Sequence, residues 1–346
     1  MSDTRKLLNT LYVTSPHAYL SRDGENVVVT VDGEEKFRVP IHNLEAIVCF
    51  NYMGTSPSLM ALCCERGVSL CYLSESGRFL ARVTGRISGN VLLRRKQYRL
   101  ADGSVEAAGL AKAFVAGKVL NCRSVLMRFV RDHGEKEGAH EVSEAAERLL
   151  EYFRALDRST TVNAIRGVEG DAARTYYAVF DHLITEQKEA FRFSGRSRRP
   201  PLDAMNALLS FLYVLLASDC ASALETVGLD PQVGFLHRDR PGRLSLALDL
   251  MEELRPYLVD RLALTLVNNR QVTSGGFVKK ESGGVIMDPD TRKLVITEWQ
   301  KRKQEEIVHP FLQEKINVGL IPYVQALLLA RHLRGDLDGY PPFLVR

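Results

Sequence analysis

Residues 84–103 read TGRISGNVLLRRKQYRLADG, and the hydrophobic rhythm of the chain changes across them. Upstream, apolar residues fall in short β-branched runs or alternate with polar ones, as in strands. Downstream they recur every three or four residues over long stretches, as in helices. A domain boundary therefore falls in or near this segment. The expected fold class is α+β: a small N-terminal β-rich domain over residues 1–90, then a larger all-α domain over 91–346.

On the upstream side, residues 27–31 form a β-branched run. Asp32 and Gly33 follow as a tight-turn pair, and the polar residues 34–36 could lengthen the loop. Phe37, Val39 and Ile41 then alternate with Arg38 and Pro40, and 47–50 reads as another strand. Ser56 can cap a short helix, Pro57 suits its first turn and Gly67 can end it. Residues 68–73 and 79–83 return to strand across a Ser-Glu-Ser-Gly turn at 74–77.

Helical periodicity covers 105–130, 142–156, 171–187, 203–222, 245–266, 296–314 and 316–334. Two segments interrupt it. Residues 192–201 are rich in Arg, Pro and Gly; residues 273–292, rich in Gly and Ser, suit a short hairpin or a mobile loop. Asn206 and Trp299 read as packing residues.

The chain has 346 residues, 45% of them hydrophobic and 25% charged, which is ordinary for a globular protein with a sizeable core. No apolar run approaches the roughly 18 residues of a membrane span. The N-terminal MSDTRKLLNTLYV lacks a signal peptide's apolar stretch, so a cytoplasmic protein with no membrane partner is expected. The six cysteines form no CxxC pair and no zinc spacing, and read as reduced core residues.

Net charge is only +4, but the basic residues cluster. Arg78, Arg82, Arg86, Arg94, Arg95, Lys96 and Arg99 occur with no acidic residue among them. So do Arg192, Arg196, Arg198 and Arg199, and Lys301, Arg302 and Lys303 stand together. Such stretches suit contacts to a phosphate backbone, or else a solvated face.

Three segments could carry chemistry. In GVEG (167–170) glycines flank Glu169 ahead of a helical pattern, where an acidic residue could equally serve the helix dipole. In VGFLH (233–237) the histidine ends an apolar loop and could be a ligand or a hydrogen-bonded structural residue. In LALDLMEELRP (246–256) Leu246, Leu250 and Leu254 form a core stripe. Asp249 and Glu252, three apart, can address one spot; a solvated acidic face partnered by Arg255 is the plainer possibility. Carboxylate, imidazole and carboxylate together suit Mn²⁺ or Mg²⁺, and the lack of thiolate argues against structural zinc. Such an ion can polarise a phosphoryl oxygen during in-line displacement. The residues alone do not choose between water and a DNA 3′-hydroxyl as nucleophile, nor place the three segments together.

These blocks resemble the universal integrase of CRISPR adaptation, the first-numbered Cas protein, over nearly the whole chain. The resemblance is carried by LLNTLYVTSPHAYLSRDGENVVV, VPIHNLEAIVCF, GNVLLRRKQYR, IRGVEGDAARTYY, SRRPPLDAMNALLSFLYVLL, VGFLHRDRPGRLSLALDLMEELRP and QKRKQEEIVHPF. The chain looks closest to the branch that accompanies subtype I-C systems. The resemblance implies a metal-dependent DNA endonuclease/integrase, an enzyme of the ester-bond hydrolase type, that joins prespacer 3′-OH ends to the repeat array. It implies metal ligands at Glu169, His237 and Glu252, and a further acidic residue at Asp249 that could position a second metal, a water or the scissile phosphate.

As partners the resemblance implies double-stranded prespacer DNA, CRISPR repeat DNA, and an asymmetric homodimer joined through the β domains. Two such dimers would flank a dimer of the small ferredoxin-like second Cas protein. Arg192, Arg196, Arg198 and Arg199 would then hold the DNA backbone near the metal, and Arg94, Arg95 and Lys96 would guide the duplex. Two other readings stand beside strand transfer: a metal-dependent nuclease cutting branched or single-stranded DNA by water attack, and a non-catalytic DNA scaffold. A metal-independent phosphoryl transferase is disfavoured, because no Gly-rich P-loop is evident.

Overall fold

The computed structural model describes residues 10–15, 17–50, 54–74, 79–85 and 91–345. Most of the turn expected at 74–77, together with Arg78 and Arg86, lies outside them. The chain forms two compact units, Met1–Ser88 with Arg292–Gln304, and Gly89–Thr291 with Glu305–Arg346.

The first unit holds β1 (Thr10–Val13), β2 (Ala18–Asp23), β3 (Asn26–Val31), β4 (Glu34–Pro40), β5 (Ala46–Phe50), β6 (Gly54–Thr55), helix α1 (Pro57–Arg66), β7 (Ser69–Leu73) and β8 (Phe79–Val83). One sheet runs β4-β3-β2-β6 and the other β1-β5-β7-β8. Asp32 and Gly33 both adopt left-handed backbone, φ 52° and 83°, and Val31 pairs directly with Glu34. The turn is thus two residues long, and the polar residues 34–36 lie in β4 instead of lengthening the loop. Helix α1 begins as its sequence dictates: the Ser56 side chain accepts from Leu59 N, Pro57 opens the first turn, and Gly67 closes the helix at φ 67°. Leu20, Val27 and Val29 of one sheet form a common core with Ile47, Cys49 and Leu70 of the other and with Leu59 and Leu62 of α1.

Residues 292–304, expected in the helical domain, belong to this first unit. The Arg292 guanidinium lies 5.8 Å over the Phe50 ring, and Gln300 donates to Thr10 O at 3.2 Å. A helix's own periodicity says which face is apolar, not which unit will cover it.

The second unit is built on α2 (Val91–Asp102), α3 (Ser104–His133), α4 (Ala139–Arg158), α5 (Val162–Ala178), α6 (Ala204–Thr226), α7 (Ser245–Arg255) and α8 (Arg261–Asn268). After these come the hairpin β9 (Phe277–Lys279) and β10 (Val285–Met287), then α9 (Pro289–Gln304), which carries residues 292–304 into the first unit. The second unit resumes with the hairpin β11 (Glu306–Val308) and β12 (Lys315–Asn317), and ends with α10 (Ile321–Arg334). Long α3 packs on α4, α5 and α7, and α7 also packs on α6. A small N-terminal β-rich region followed by a helical body is the α+β class expected from the sequence.

Helix α6 is long and apolar enough to cross a membrane, contrary to the count of apolar runs above. Here it is a core helix: Met205, Leu208, Leu209, Leu212, Leu215 and Leu216 are all buried. Five of the six cysteines are buried too, and none is bonded to another. Segment 273–292 contains the β9–β10 hairpin.

Buried polar groups hold α7 in register. Asn121 of α3 donates to the carbonyls of Glu253 and Phe343, each at 2.7 Å. The Glu253 carboxylate accepts from Tyr340 Oη, from Gln325 at 2.9 Å and from Phe343 N at 2.9 Å. Burial pushes its carboxyl up to about 8, and those same bonds draw it down. Gly117 lets α3 approach: a Cβ there would stand 2.7 Å from Glu253 Cβ. The next residue, Lys118, reaches Glu252 of α7.

Candidate metal centre

Helix α5 starts well before the expected residue 171, at the N-cap Thr161, whose hydroxyl accepts from Ala164 N at 3.2 Å. Gly167 and Gly170 each weaken it by about 1 kcal/mol relative to alanine. The buried residues Ile165, Ala172 and Tyr176 carry it through. Glu169 shares their face in mid-helix, so the first-turn dipole reading of this residue is wrong.

The loop 233–237 is held on α7 by Asp249. Asp249 Oδ2 accepts from Phe235 N at 2.6 Å and Leu236 N at 2.9 Å. Oδ1 accepts from His237 N at 2.9 Å and stands 2.6 Å from His237 Nδ1. Gly234 permits this approach, since a Cβ there would lie 2.8 Å from Asp249 Oδ2. Arg166, one turn before Glu169 on α5, donates to Leu236 O at 2.5 Å and ties the same loop to α5.

With all its acceptor positions engaged and no exposure, Asp249 has nothing left for a second metal, a water or a phosphate. It orients His237 instead. Nδ1–H is committed to the carboxylate, and Nε2 lies 3.7 Å from Glu252 Oε1. A ring nitrogen prepared in this way is a common feature of metal-binding histidines.

Glu252 stands one turn beyond Asp249 and is 2% exposed. Asp249, Glu252 and Glu253 are all buried, so α7 has no solvated acidic face. Arg255 Nη1 pairs with Glu252 Oε1 at 2.6 Å. Glu252 Oε2 lies 2.7 Å from Lys118 Nζ but has no hydrogen-bond partner of proper geometry. Lys118 also donates to Glu169 Oε1. Burial alone would raise the Glu252 pKa; Arg255, Lys118 and His237 outweigh it and bring it down to about 2. Burial likewise opposes the Lys118 ammonium, and Glu252 and Glu169 more than offset it, raising its pKa.

A network lies behind Arg255. The Tyr213 ring is flanked by the guanidinium groups of Arg196 at 5.2 Å and Arg255 at 5.3 Å. Its hydroxyl donates to buried Asp260, which also accepts from Tyr176 at 3.1 Å. Burial pushes Asp260 up to about 6, against the pull of the tyrosines and arginines. A carboxyl raised on folding binds its proton more tightly in the native state, so stability falls as pH rises from about 4 to 6. Asp260→Asn removes that dependence. In denaturant melts its penalty relative to the parent is expected to shrink by about 2 kcal/mol between pH 4.5 and pH 7.

The basic clusters separate. Arg95, Lys96, Arg192, Arg198 and Arg199 are exposed, and Arg94 is half-buried. Arg196 is committed inward, to Ser197 O at 2.5 Å, Asn206 Oδ1 at 2.6 Å and Ser210 Oγ at 3.0 Å. It clamps the 192–201 loop and is withdrawn from the phosphate-contact set. Fully buried Asn206 organises that loop, also accepting from Ser197 N and donating to Gly195 O and Asp203. The cluster at 301–303 is split as well: Lys303 is buried, while exposed Lys301 pairs with Glu298 at 2.7 Å.

Among the described residues, no three His, Cys, Asp or Glu side chains stand in a ready-made ligand group. Glu169 and Glu252 face each other across Lys118, and His237 Nε2 approaches from the side of Glu252. The donor set still fits a hard divalent ion: two carboxylates, one imidazole nitrogen prepared by Asp249, and one buried Glu252 oxygen without a hydrogen bond. The sequence reading missed the central position of Lys118.

A family profile described as CRISPR associated protein Cas1 matches residues 11–301. A Chlorobaculum tepidum protein named CRISPR-associated endonuclease Cas1 1 is 52% identical over 342 residues, covering 99% of this chain and all of its own. A chain of a Cas6-RT-Cas1–Cas2 complex superposes with a TM-score of 0.82 at 22% identity, over 98% of this chain and 36% of its own. A casposase bound to integration product superposes with a TM-score of 0.83 at 21% identity, over 96% of this chain and 93% of its own. At those identities the two structures speak for the fold alone.

Proposed function

Because this chain belongs to the Cas1 family of CRISPR-associated endonucleases, we propose that it joins prespacer 3′-OH ends to CRISPR repeat DNA, with Mn²⁺ or Mg²⁺ held by Glu169, His237 and Glu252. The observation that carries this reading is the hydrogen bond that His237 Nδ1 donates to Asp249, which turns Nε2 toward Glu252.

When bound, the ion supplies Lewis acidity to a phosphoryl oxygen. The chain's own groups do the positioning. Asp249 keeps the proton on Nδ1 and the loop seated. Arg255 fixes one oxygen of Glu252, and Arg166 ties the loop to the helix that carries Glu169. In the exchange, the prespacer 3′-oxygen bonds to a repeat phosphorus as the bond to the leaving 3′-oxygen breaks. The attacking hydroxyl loses its proton, the leaving oxygen gains one, and the number of phosphodiesters is conserved.

The test is a labelled prespacer with a supercoiled array plasmid and Mn²⁺ or Mg²⁺. Label joined to plasmid is expected. Cleaved strands without joining would assign water as the nucleophile and make the enzyme a hydrolytic nuclease. Unaltered activity without metal ligands would reduce the protein to a DNA-binding scaffold.

The proposed setting is the cytoplasm. The proposed assembly is a homodimer joined through the β-rich unit, in complex with the small ferredoxin-like protein Cas2. A related fold solved in a Cas1–Cas2 complex supports that partner. Assignment to the subtype I-C branch rests on the motif blocks and is tested by the interference genes that neighbour this one.

Of the basic residues, Arg192, Arg198 and Arg199 are the exposed candidates beside Arg196, and Arg95 and Lys96 are exposed on α2. Replacing both Arg198 and Arg199 with alanine is expected to lower the slope of log K against log salt by about 2, near 0.9 per lost phosphate contact. Arg196→Ala should instead lower thermal stability and leave the slope near that of the parent. An unchanged slope in the double variant would remove these arginines from the DNA interface.

A further inference from the structure

Lys118 is a buried cation with no role in the ligand set. It projects from α3, whose neighbouring Gly117 allows contact with α7, and its side chain is 8% exposed. Its ammonium stands between Glu169 and Glu252, the two carboxylates proposed to hold the ion, which come from different helices. Arg255 already neutralises the other oxygen of Glu252 at 2.6 Å. Lys118 is thus the group that keeps the Glu169–Glu252 gap closed and its charge balanced.

We infer that Lys118 is a built-in counter-cation that fills the Glu169–Glu252 gap in the metal-free protein and is displaced when a divalent ion enters. This rests on the proposed metal site. Two carboxylates facing each other, Glu252 buried and Glu169 a quarter exposed, would repel at short range without a cation, and an ammonium between them removes that penalty. A divalent ion in the same gap cannot share it with the ammonium. Lysine suits such exchange, because its compact head sits on a flexible four-carbon stem. Arginine at 255, a planar fork stacked on Tyr213, suits the fixed position. The ligand oxygens are therefore held near their bound places before the ion arrives, at the cost of weaker ion binding.

The experiment is Mn²⁺ titration by calorimetry, with thermal melts with and without Mn²⁺, on the parent protein, Lys118→Met and Lys118→Arg. Lys118→Met is expected to bind Mn²⁺ about tenfold tighter or more, to melt lower without metal, and to gain more from metal than the parent. Lys118→Arg keeps a cation in the gap and is expected to bind no tighter than the parent. Lys118→Gln replaces Lys118→Met if the latter does not fold. If the parent binds Mn²⁺ and the neutral variant binds it equally or more weakly, Lys118 is not a competing cation. If neither binds Mn²⁺, the metal site itself is wrong, and the inference falls with it.

Discussion

His237→Ala is expected to lower metal-dependent strand joining by about 10³-fold or more while leaving the fold intact. The loss corresponds to about 4 kcal/mol of transition-state stabilisation, the scale set by losing a well-placed Lewis acid. The fold should survive because the His237 side chain is 21% exposed and the loop does not depend on it. Asp249 still accepts from the backbone N–H of Phe235, Leu236 and His237. The assay pairs joining rates with a thermal melt and Mn²⁺ titration. A drop in rate with parent-like melting and weakened Mn²⁺ binding is the expected pattern. Joining at the parent rate would remove His237 from the chemistry.

Asp249→Ala should damage both stability and activity. It leaves three backbone donors and His237 Nδ1 facing a buried void. Each unmatched donor costs about 1–3 kcal/mol, so a total of about 3–5 kcal/mol is expected after partial relaxation. Asp249→Asn is the sharper probe. Its amide keeps one oxygen as acceptor, but its NH2 cannot accept the two donors on the other side, which at Oδ1 are His237 Nδ1–H and His237 N. Loss of such an orienting partner typically weakens metal binding about 10–100-fold. ¹⁵N spectra of the imidazole give a direct readout: the parent is expected to show one tautomer with the proton on Nδ1, and Asp249→Asn a mixture. Parent-like spectra together with a lower count of bound metal would instead mark Asp249 as a ligand.

Much of this was legible where a local rule sufficed. Ser56, Pro57 and Gly67 define α1 because capping and left-handed termination act within one turn. Asp32-Gly33 specifies the β3–β4 turn for the same reason. Glu169, His237 and Glu252 were reachable only through family resemblance, because each is a commonplace residue in its own segment. Helix α5 was misjudged because Gly167 and Gly170 look like a break, although the buried stripe at 165, 172 and 176 outweighs them. The helical pattern at 296–314 conceals a stop at Gln304 and a hairpin from Glu306 to Asn317. Pro310 within that span was a usable warning.

The roles of Asp249 and Arg196 were not local. Asp249 bonds to a loop 12 to 14 residues earlier, and Arg196 to a helix 10 to 14 residues later. Neither distance has a periodic signature. Lys118 did leave a trace. It sits among Phe114, Val115, Val119 and Cys122 on a buried helix, where an unpaired lysine would be intolerable. A lysine in an apolar stripe asks for a carboxylate partner, and α5 and α7 each supply one.

Glu169, His237 and Glu252 are expected to hold one divalent ion together. The most direct test is anomalous diffraction at the manganese edge from crystals grown with Mn²⁺. A single peak is expected about 2.0–2.3 Å from His237 Nε2 and from a carboxylate oxygen of each glutamate, with Lys118 moved out of the gap. A manganese peak bound elsewhere, or Lys118 still bridging the two glutamates in the loaded protein, would contradict it.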